Sequence, residues 1–301
     1  MPELPEVEVV RRGVERWAAG RRVERVQVFD PRSLRRYAEG SEEFVRELTG
    51  SVLGVPERRG KYLWIPLEQH DDAAPSPALM IHLGMSGQVL IKDSDAPAEK
   101  HLKITLALST EAGQLRLPSQ LRFIDQRIFG GMQLSPLVTG AAGRQVPQAA
   151  AHIAPDPLEP AVTGEWLFTT LRRRRTGLKR ALLDQTVISG VGNIYADEAL
   201  WRARLHYARR AETVTRAGTA QLLEALREVM EAALAAGGTS FDALYVNVNG
   251  ASGYFDRSLQ VYGQAGQECS RCGSVIRREK FMNRSSYFCP GCQPRPRAGR
   301  W

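Results

Sequence analysis

No stretch of the chain approaches the roughly 18 uncharged apolar residues that a membrane-spanning helix requires, which argues against an integral membrane protein. The first residues lack a basic segment followed by an apolar one, so a secretory signal is not expected. Cysteine is scarce and confined: Cys269, Cys272, Cys289 and Cys292 all fall in the last 33 residues of the sequence. A disulfide framework would be spread over a secreted fold, and this set is not. There is no internal repeat. Acidic charge is in deficit, with 33 Asp+Glu against 41 Lys+Arg, a net charge of +8. A basic surface attracts polyanions, nucleic acid first among them, with solubility alone as the competing explanation. The expectation is a cytoplasmic protein, and 301 residues suffice for two domains with a substantial core.

What is present divides along the chain. Leu4, Val7, Val10, Val14 and Trp17 recur at three and four residues, which predicts one face of an N-terminal helix. Pro5 is tolerated in a first turn, and Glu3, Glu6 and Glu8 sit where a helix dipole favours negative charge. From Arg22 to Ser135 short β-branched or alternating runs, broken by Gly, Pro and Asp, predict a β-sandwich rather than βαβ units. Residues 69–78 read as a disordered loop insertion. Helical patterns then dominate, near 164–175, 177–185, 194–204, 215–236 and 240–246. The predicted organisation is α+β and multidomain: 1–135, a linker over 136–160, a helical domain over 161–256, a finger over 257–293 and a disordered tail over 294–301.

Three motifs could carry chemistry. Two Cys-x-x-Cys pairs, Cys269/Cys272 and Cys289/Cys292, lie sixteen residues apart. On a β-hairpin such knuckles gather four thiolates around one structural Zn²⁺, with no position left open for catalysis. A redox role is disfavoured by the presence of two pairs and the absence of a surrounding βαβ pattern. Residues 258–301 carry eight Lys+Arg and two Glu, so about +4 remains after a Zn²⁺–thiolate centre contributes −2. The second motif, TGLKRALLDQTVISGVGNIYADE (176–198), predicts a helix, a glycine loop and a second helix starting near Asn193. Its Gly190 and Gly192 would let backbone N–H groups approach an anion, Asn193 would cap the helix, and RRRR at 172–175 lies just upstream. An ordinary helix–turn–helix is the plainer reading. The third motif pairs IHLGMSG (81–87) with FIDQRIFG (123–130). Met85, Arg127 and Phe129 at loop tips could wedge into a DNA stack, although the residues alone favour Met85 and Phe129 as core.

These motifs occur together and in order, with MPELPEVE at the start, RRGKYL at 58–63, EKH at 99–101 and a GYF loop. On them the chain resembles the bacterial formamidopyrimidine-DNA glycosylases, which remove 8-oxoguanine and ring-opened purines. The resemblance implies an N-terminal helix and β-sandwich, a helix-two-turn-helix domain and a zinc-finger hairpin. It implies Pro2 as nucleophile once Met1 is removed, Glu3 as the acid beside it, and Lys61 in β-elimination and phosphate binding. It implies DNA contact at His101, Arg127, Arg175, Lys179 and Asn193. Met85, Arg127 and Phe129 would fill the gap left by a flipped base. Arg284 would join phosphate contact and δ-elimination, and residues 245–256 would close over the damaged base. One structural Zn²⁺, no redox cofactor, a monomeric state and double-stranded DNA as partner follow. Departures are DQRIFG for DPRRFG, which puts Ile128 where a second arginine is usual, and IAPDPL for LGPDPL. Two rivals remain: the sister family acting on oxidised pyrimidines, whose start reads PEGPE where this chain has Leu4, and a non-catalytic zinc-ribbon DNA-binding protein.

Overall fold

The computed structural model describes residues 2–68, 77–109, 118–140, 143–238 and 258–301. The chain forms two compact units, one built on residues 1–152 with 237–254, the other on 153–236 with 255–301.

The first unit opens with helix α1 (Leu4–Ala18), whose apolar face is the predicted one. Val7, Val10, Val14 and Ala18 join the main hydrophobic core, and each buried valine contributes roughly 1.5–3 kcal/mol. Among the described residues, ten antiparallel strands follow, in two sheets. The four-stranded sheet has the order β1 (Val23–Val28), β7 (Leu102–Leu108), β8 (Gln120–Asp125), β6 (Gly87–Lys92). The second sheet has the order β10 (Gln145–Pro147), β9 (Gly131–Thr139), β5 (Pro77–His82), β4 (Tyr62–Glu68), β2 (Val52–Leu53), with β3 (Glu57–Arg59) also on β4. Alternation decides which side chains enter the core: Leu121 and Phe123 of β8 do, as do Leu63, Ile65 and Leu67 of β4.

The sequence reading differs from this unit in two places. Helix α2 (Gly40–Leu48) interrupts the stretch expected to be all strand, burying Phe44 and Leu48 one helical turn apart. The expected linker at 136–160 begins inside β9 and contains β10, and the boundary between units falls after residue 152. The Ala, Pro and Gly content there reflects a short edge strand and turns rather than a free connection. Of the expected loop insertion, residues 69–76 lie outside the described residues, while 77 and 78 belong to β5.

The second unit contains α3 (Gly164–Arg172), α4 (Leu178–Leu183), α5 (Asn193–Arg202) and α6 (Arg216–Ala235), then a hairpin of β11 (Arg277–Phe281) and β12 (Arg284–Phe288). Helices α3 and α5 both pack on α6. Thr163 caps α3 by accepting from the Trp166 N–H at 3.1 Å, and Thr215 caps α6 by accepting from the Gly218 N–H at 3.1 Å. The cap of α5 is Gly192, so Asn193 is the first helical residue rather than the cap. The expected helix at 240–246 lies outside the described residues. The expected disordered tail is instead packed: the Arg300 N–H donates to the Ala208 carbonyl at 2.7 Å. No described helix is long and apolar enough to cross a membrane.

Candidate active site and nucleic-acid interface

In the first unit, Glu3 occupies the cap position of α1, and its N–H donates to Glu6 Oε2 at 2.8 Å. Pro2 and Glu3 are both buried. The helix is pinned from below by Glu8. Its carboxylate accepts from Arg58 on β3 (3.0 Å), from Arg11 (3.0 Å) and from Arg12 (3.0 Å). Burial opposes ionisation of Glu8, but hydrogen bonds and charge from Arg11 and Arg58 outweigh it and hold the carboxyl at about 2. The same β3–β4 corner carries Lys61, buried beside Gly60 at φ +55°. Arg58 also donates to the Gly60 carbonyl at 3.2 Å, so one side chain links α1 to the turn that presents Lys61. From sequence, Glu8 is only one of the acids favoured by the helix dipole and Arg58 has no role, although they lie in the motifs MPELPEVE and RRGKYL.

Met85 and Phe129 are not core residues: they are 40% and 49% exposed. Arg127, two residues before Phe129, is exposed as well. The two loops meet backbone to backbone. A Cβ on Gly84 would stand 2.4 Å from the Gly130 nitrogen, and one on Gly130 would stand 2.5 Å from the His82 carbonyl oxygen. Both positions therefore require glycine. Between them lies the fully buried Asp125. Its Oδ1 accepts from Ser86 Oγ (2.6 Å) and the Arg127 N–H (3.1 Å), and its Oδ2 accepts from the Gly130 N–H (2.8 Å). Arg35 donates to the carbonyls of Ile128 and Phe129. Ile128 adopts φ +55°, unusual for a β-branched residue. The nearby His101 is half-buried, and its carbonyl accepts from the Asp125 N–H at 3.0 Å. The loop before it is held by buried Arg122, which donates to the carbonyls of Asp93 (2.9 Å), Ala96 (3.0 Å) and Pro97 (2.9 Å).

In the second unit, Arg175 is well exposed, with 74% of its side chain accessible. Lys179 is placed differently from the expected phosphate contact. It is wholly buried, its Nζ 2.7 Å from Asp197 Oδ1 and 4.9 Å from the centre of the Phe281 ring. Nζ also donates to Ser286 Oγ (3.1 Å) and the Ser285 carbonyl (3.2 Å). Lys179 thus binds the hairpin, and a phosphate cannot reach it there. Asn193 donates through Nδ2 to the same Ser285 carbonyl at 3.2 Å, which leaves its second N–H for another acceptor. Asp197 completes the junction, accepting from the Tyr287 N–H at 2.9 Å and from Ser286 Oγ at 3.0 Å. Glu198 accepts from the N–H groups of Gln260 (3.0 Å), Val261 (2.8 Å) and Tyr262 (2.9 Å), fixing the approach to the finger. Both acids lie in the motif at 176–198, where the sequence alone gives them no role. The available signal was two adjacent carboxylates in a helix whose other residues are almost all apolar. Arg284 is exposed at the hairpin turn, where Met282 takes φ +52°.

The four cysteine sulfurs lie within 4.8 Å of one another. The Cys269–Cys292 and Cys272–Cys289 separations are 3.9 and 3.4 Å. A tetrahedron with Zn–S bonds of about 2.3 Å needs sulfurs about 3.8 Å apart, so the set fits Zn²⁺. Surrounding groups orient the ligands. The Trp201 indole donates to Cys269 Sγ at 3.4 Å, and Gln293 accepts from the Cys289 N–H at 2.9 Å while donating to the Leu205 carbonyl at 2.8 Å. Arg271 lies 4.0 Å from the centre of the Trp201 ring.

Family models match the chain in the same order as these features. Residues 1–132 match the formamidopyrimidine-DNA glycosylase N-terminal domain, 153–244 its H2TH domain, and 266–295 the zinc finger found in FPG and IleRS. The formamidopyrimidine-DNA glycosylase of Streptomyces coelicolor is 57% identical over 297 residues, 99% of each chain. A Lactococcus lactis Fpg in complex with DNA containing an abasic site superposes with a TM-score of 0.81 at 31% identity, covering 97% of this chain and 100% of the other. MutM in complex with DNA containing carbocyclic 8-oxo-G gives 0.80 at 32% identity, covering 98% and 100%. With the same three modules in the same order and relatives matched over their full length, the chain belongs to the formamidopyrimidine-DNA glycosylase family.

Proposed function

We propose that the protein excises oxidised purines, 8-oxoguanine and formamidopyrimidines, from double-stranded DNA and then cleaves the strand. It would act as a monomer in the cytoplasm. A base inside a duplex is out of reach, so the lesion nucleotide is flipped out and the vacated space must be filled. The observation that carries the reading is the exposure of Met85 and Phe129 on loops that are themselves rigidly held. Large apolar side chains presented to water on a fixed frame suit insertion between bases, with Arg127 facing the orphaned partner.

The amine of Pro2 attacks the sugar C1′, the base leaves, and an iminium links protein to DNA. A free α-amino group titrates near ~7.7–8.0, so part of it is neutral at working pH, and the positive end of α1 favours that form further. Glu3 moves protons at the sugar ring oxygen and the amine. The iminium acidifies the adjacent sugar protons, so the 3′ and then the 5′ phosphate depart by β- and δ-elimination. Lys61 and Arg284 serve the phosphates in those steps. While Met1 is attached, the Pro2 nitrogen is a tertiary amide and cannot attack. Cys269, Cys272, Cys289 and Cys292 would hold one Zn²⁺ that folds the finger, and no step requires a redox cofactor.

Borohydride reduction on a duplex containing 8-oxoguanine tests this. The wild type should become covalently trapped and Pro2→Gly should not. Trapping of Pro2→Gly at the wild-type level would refute the terminal-amine mechanism, and DNA binding without any trapping would leave only a binding protein. A lesion panel that shows preference for oxidised pyrimidines would move the protein to the sister activity.

A further inference from the structure

The family's finger ends at residue 295, yet the chain continues and folds back onto the helical unit. Residues 296–301 form a strap over the segment that joins α3 to α4. The Arg300 N–H donates to the Ala208 carbonyl at 2.7 Å, and its guanidinium donates to the Arg175 carbonyl. A Cβ on Gly177 would lie 2.4 Å from the Arg300 carbonyl oxygen, so only glycine admits the strap at that point. Beyond it, Trp301 packs edge-on against His206 and Tyr207, each at 5.6 Å, with Arg295 stacked 4.2 Å from the ring centre.

The strap brings a third guanidinium to one carboxylate. Glu212 Oε1 lies 2.7 Å from Arg210, 3.6 Å from Arg300 and 3.9 Å from Arg175. Glu212 is 7% exposed, whereas Arg175, Arg210 and Arg300 are 74%, 34% and 38% exposed. Three cations around one largely buried anion leave an excess of two positive charges facing solvent. Arginine guanidinium groups arranged in this way match the oxygens of a phosphodiester.

We propose that Arg300, carried by the strap, forms with Arg175 and Arg210 a phosphate-binding cluster that extends the DNA interface beyond the family finger. The proposal rests on the reading of Arg175 as a DNA-facing residue. Glu212 holds the three guanidinium groups together in the free protein, and a backbone phosphate takes the accessible side of the cluster. Fixing the Arg175 carbonyl also holds the main chain from which that side chain projects.

The test measures binding of the full chain to a duplex with a stable abasic-site analogue, as a function of salt. One phosphate contact contributes about 0.9 to the slope of log K against log salt. Arg300→Gln should therefore lower the slope by about one. Its affinity deficit should shrink about 3.5-fold between 50 and 200 mM salt, the factor that one contact gives over a fourfold salt range. Arg300→Lys should retain the slope. Arg175→Gln should also lose about one unit. If Arg300→Gln and Trp301→Ala melt earlier but keep the wild-type slope, while Arg175→Gln loses it, the strap is only a buttress and the proposal is overturned. If Arg175→Gln also leaves the slope intact, the placement of Arg175 on DNA fails with it.

Discussion

Replacing Lys179 by methionine removes the cation of a fully buried ion pair while keeping most of the side chain's volume. Asp197 then keeps its bonds from Ser286 Oγ and the Tyr287 N–H but loses the Nζ that lies 2.7 Å from its Oδ1. Leaving one partner of a buried pair uncompensated typically costs about 3–5 kcal/mol. For a unit of this size that corresponds to a fall of roughly 10–20 °C in unfolding temperature. The deficit should depend on pH. Burial already pushes the Asp197 carboxyl up, and Lys179 is the strongest influence holding it down. Without Lys179, Asp197 takes up a proton more readily in the folded state than in the unfolded one. Stability that comes from a raised pKa is present at low pH and lost as pH rises, so the variant should regain part of its deficit on acidification. Chemical denaturation of Lys179→Met, Asp197→Asn and the double variant completes the cycle, and the double variant should be less destabilised than the sum of the singles. Stability within 1 kcal/mol of wild type, together with a salt slope of DNA binding reduced by about one, would return Lys179 to the phosphate-contacting role and refute the reasoning.

Met85→Ala and Phe129→Ala should each change unfolding free energy by less than about 0.5 kcal/mol, as exposed positions do, while lowering excision from duplex DNA at least tenfold; large destabilisation in denaturant would show them to be packing residues. Burial, with Arg36, Lys61 and Arg35 nearby, lowers the His82 imidazole to about 4. Because the unfolded chain takes up that proton first, near ~6.5, stability should fall as pH drops from about 6.5 to 4, by at most about 1.4 kcal/mol per pH unit. His82→Gln should flatten that slope, and parallel curves for variant and wild type would contradict the assignment. Cys289→Ser should abolish stoichiometric zinc and weaken binding to abasic-site DNA while the first unit stays folded, which metal analysis and circular dichroism together can check; unchanged binding after zinc removal would exclude a role for the finger in affinity.

The helical face of α1, the strand-rich middle and the cysteine spacing were legible because each follows a short period or a fixed ligand geometry. Other features depend on contacts far apart in the chain, which no local pattern records. Lys179 reads as one more surface lysine in TGLKRALL, and only Asp197 and Ser286, 18 and 107 residues later, make it a buried staple. The tail QPRPRAGRW has the composition of a disordered segment, and its order comes from Ala208, Gly177 and the His206–Tyr207 pair. Composition also hid the exposure of Met85 and Phe129, because an apolar residue beside a glycine looks the same in a core turn and at a loop tip. Helix α2 leaves little trace in the sequence because its apolar signal amounts to two fully buried residues in nine.

Asp125 has a mechanical consequence. One carboxylate grips Ser86 on one loop and the N–H groups of Arg127 and Gly130 on the other, and Gly84 and Gly130 leave no gap between the two backbones. The tips therefore cannot be withdrawn or advanced one at a time. If the tips enter DNA as proposed, they do so as a single tool with two prongs, whose ordering cost was met when the protein folded rather than on each encounter with DNA. Loosening either root should blunt both prongs, so a change beside Met85 would be felt at Phe129 without touching it.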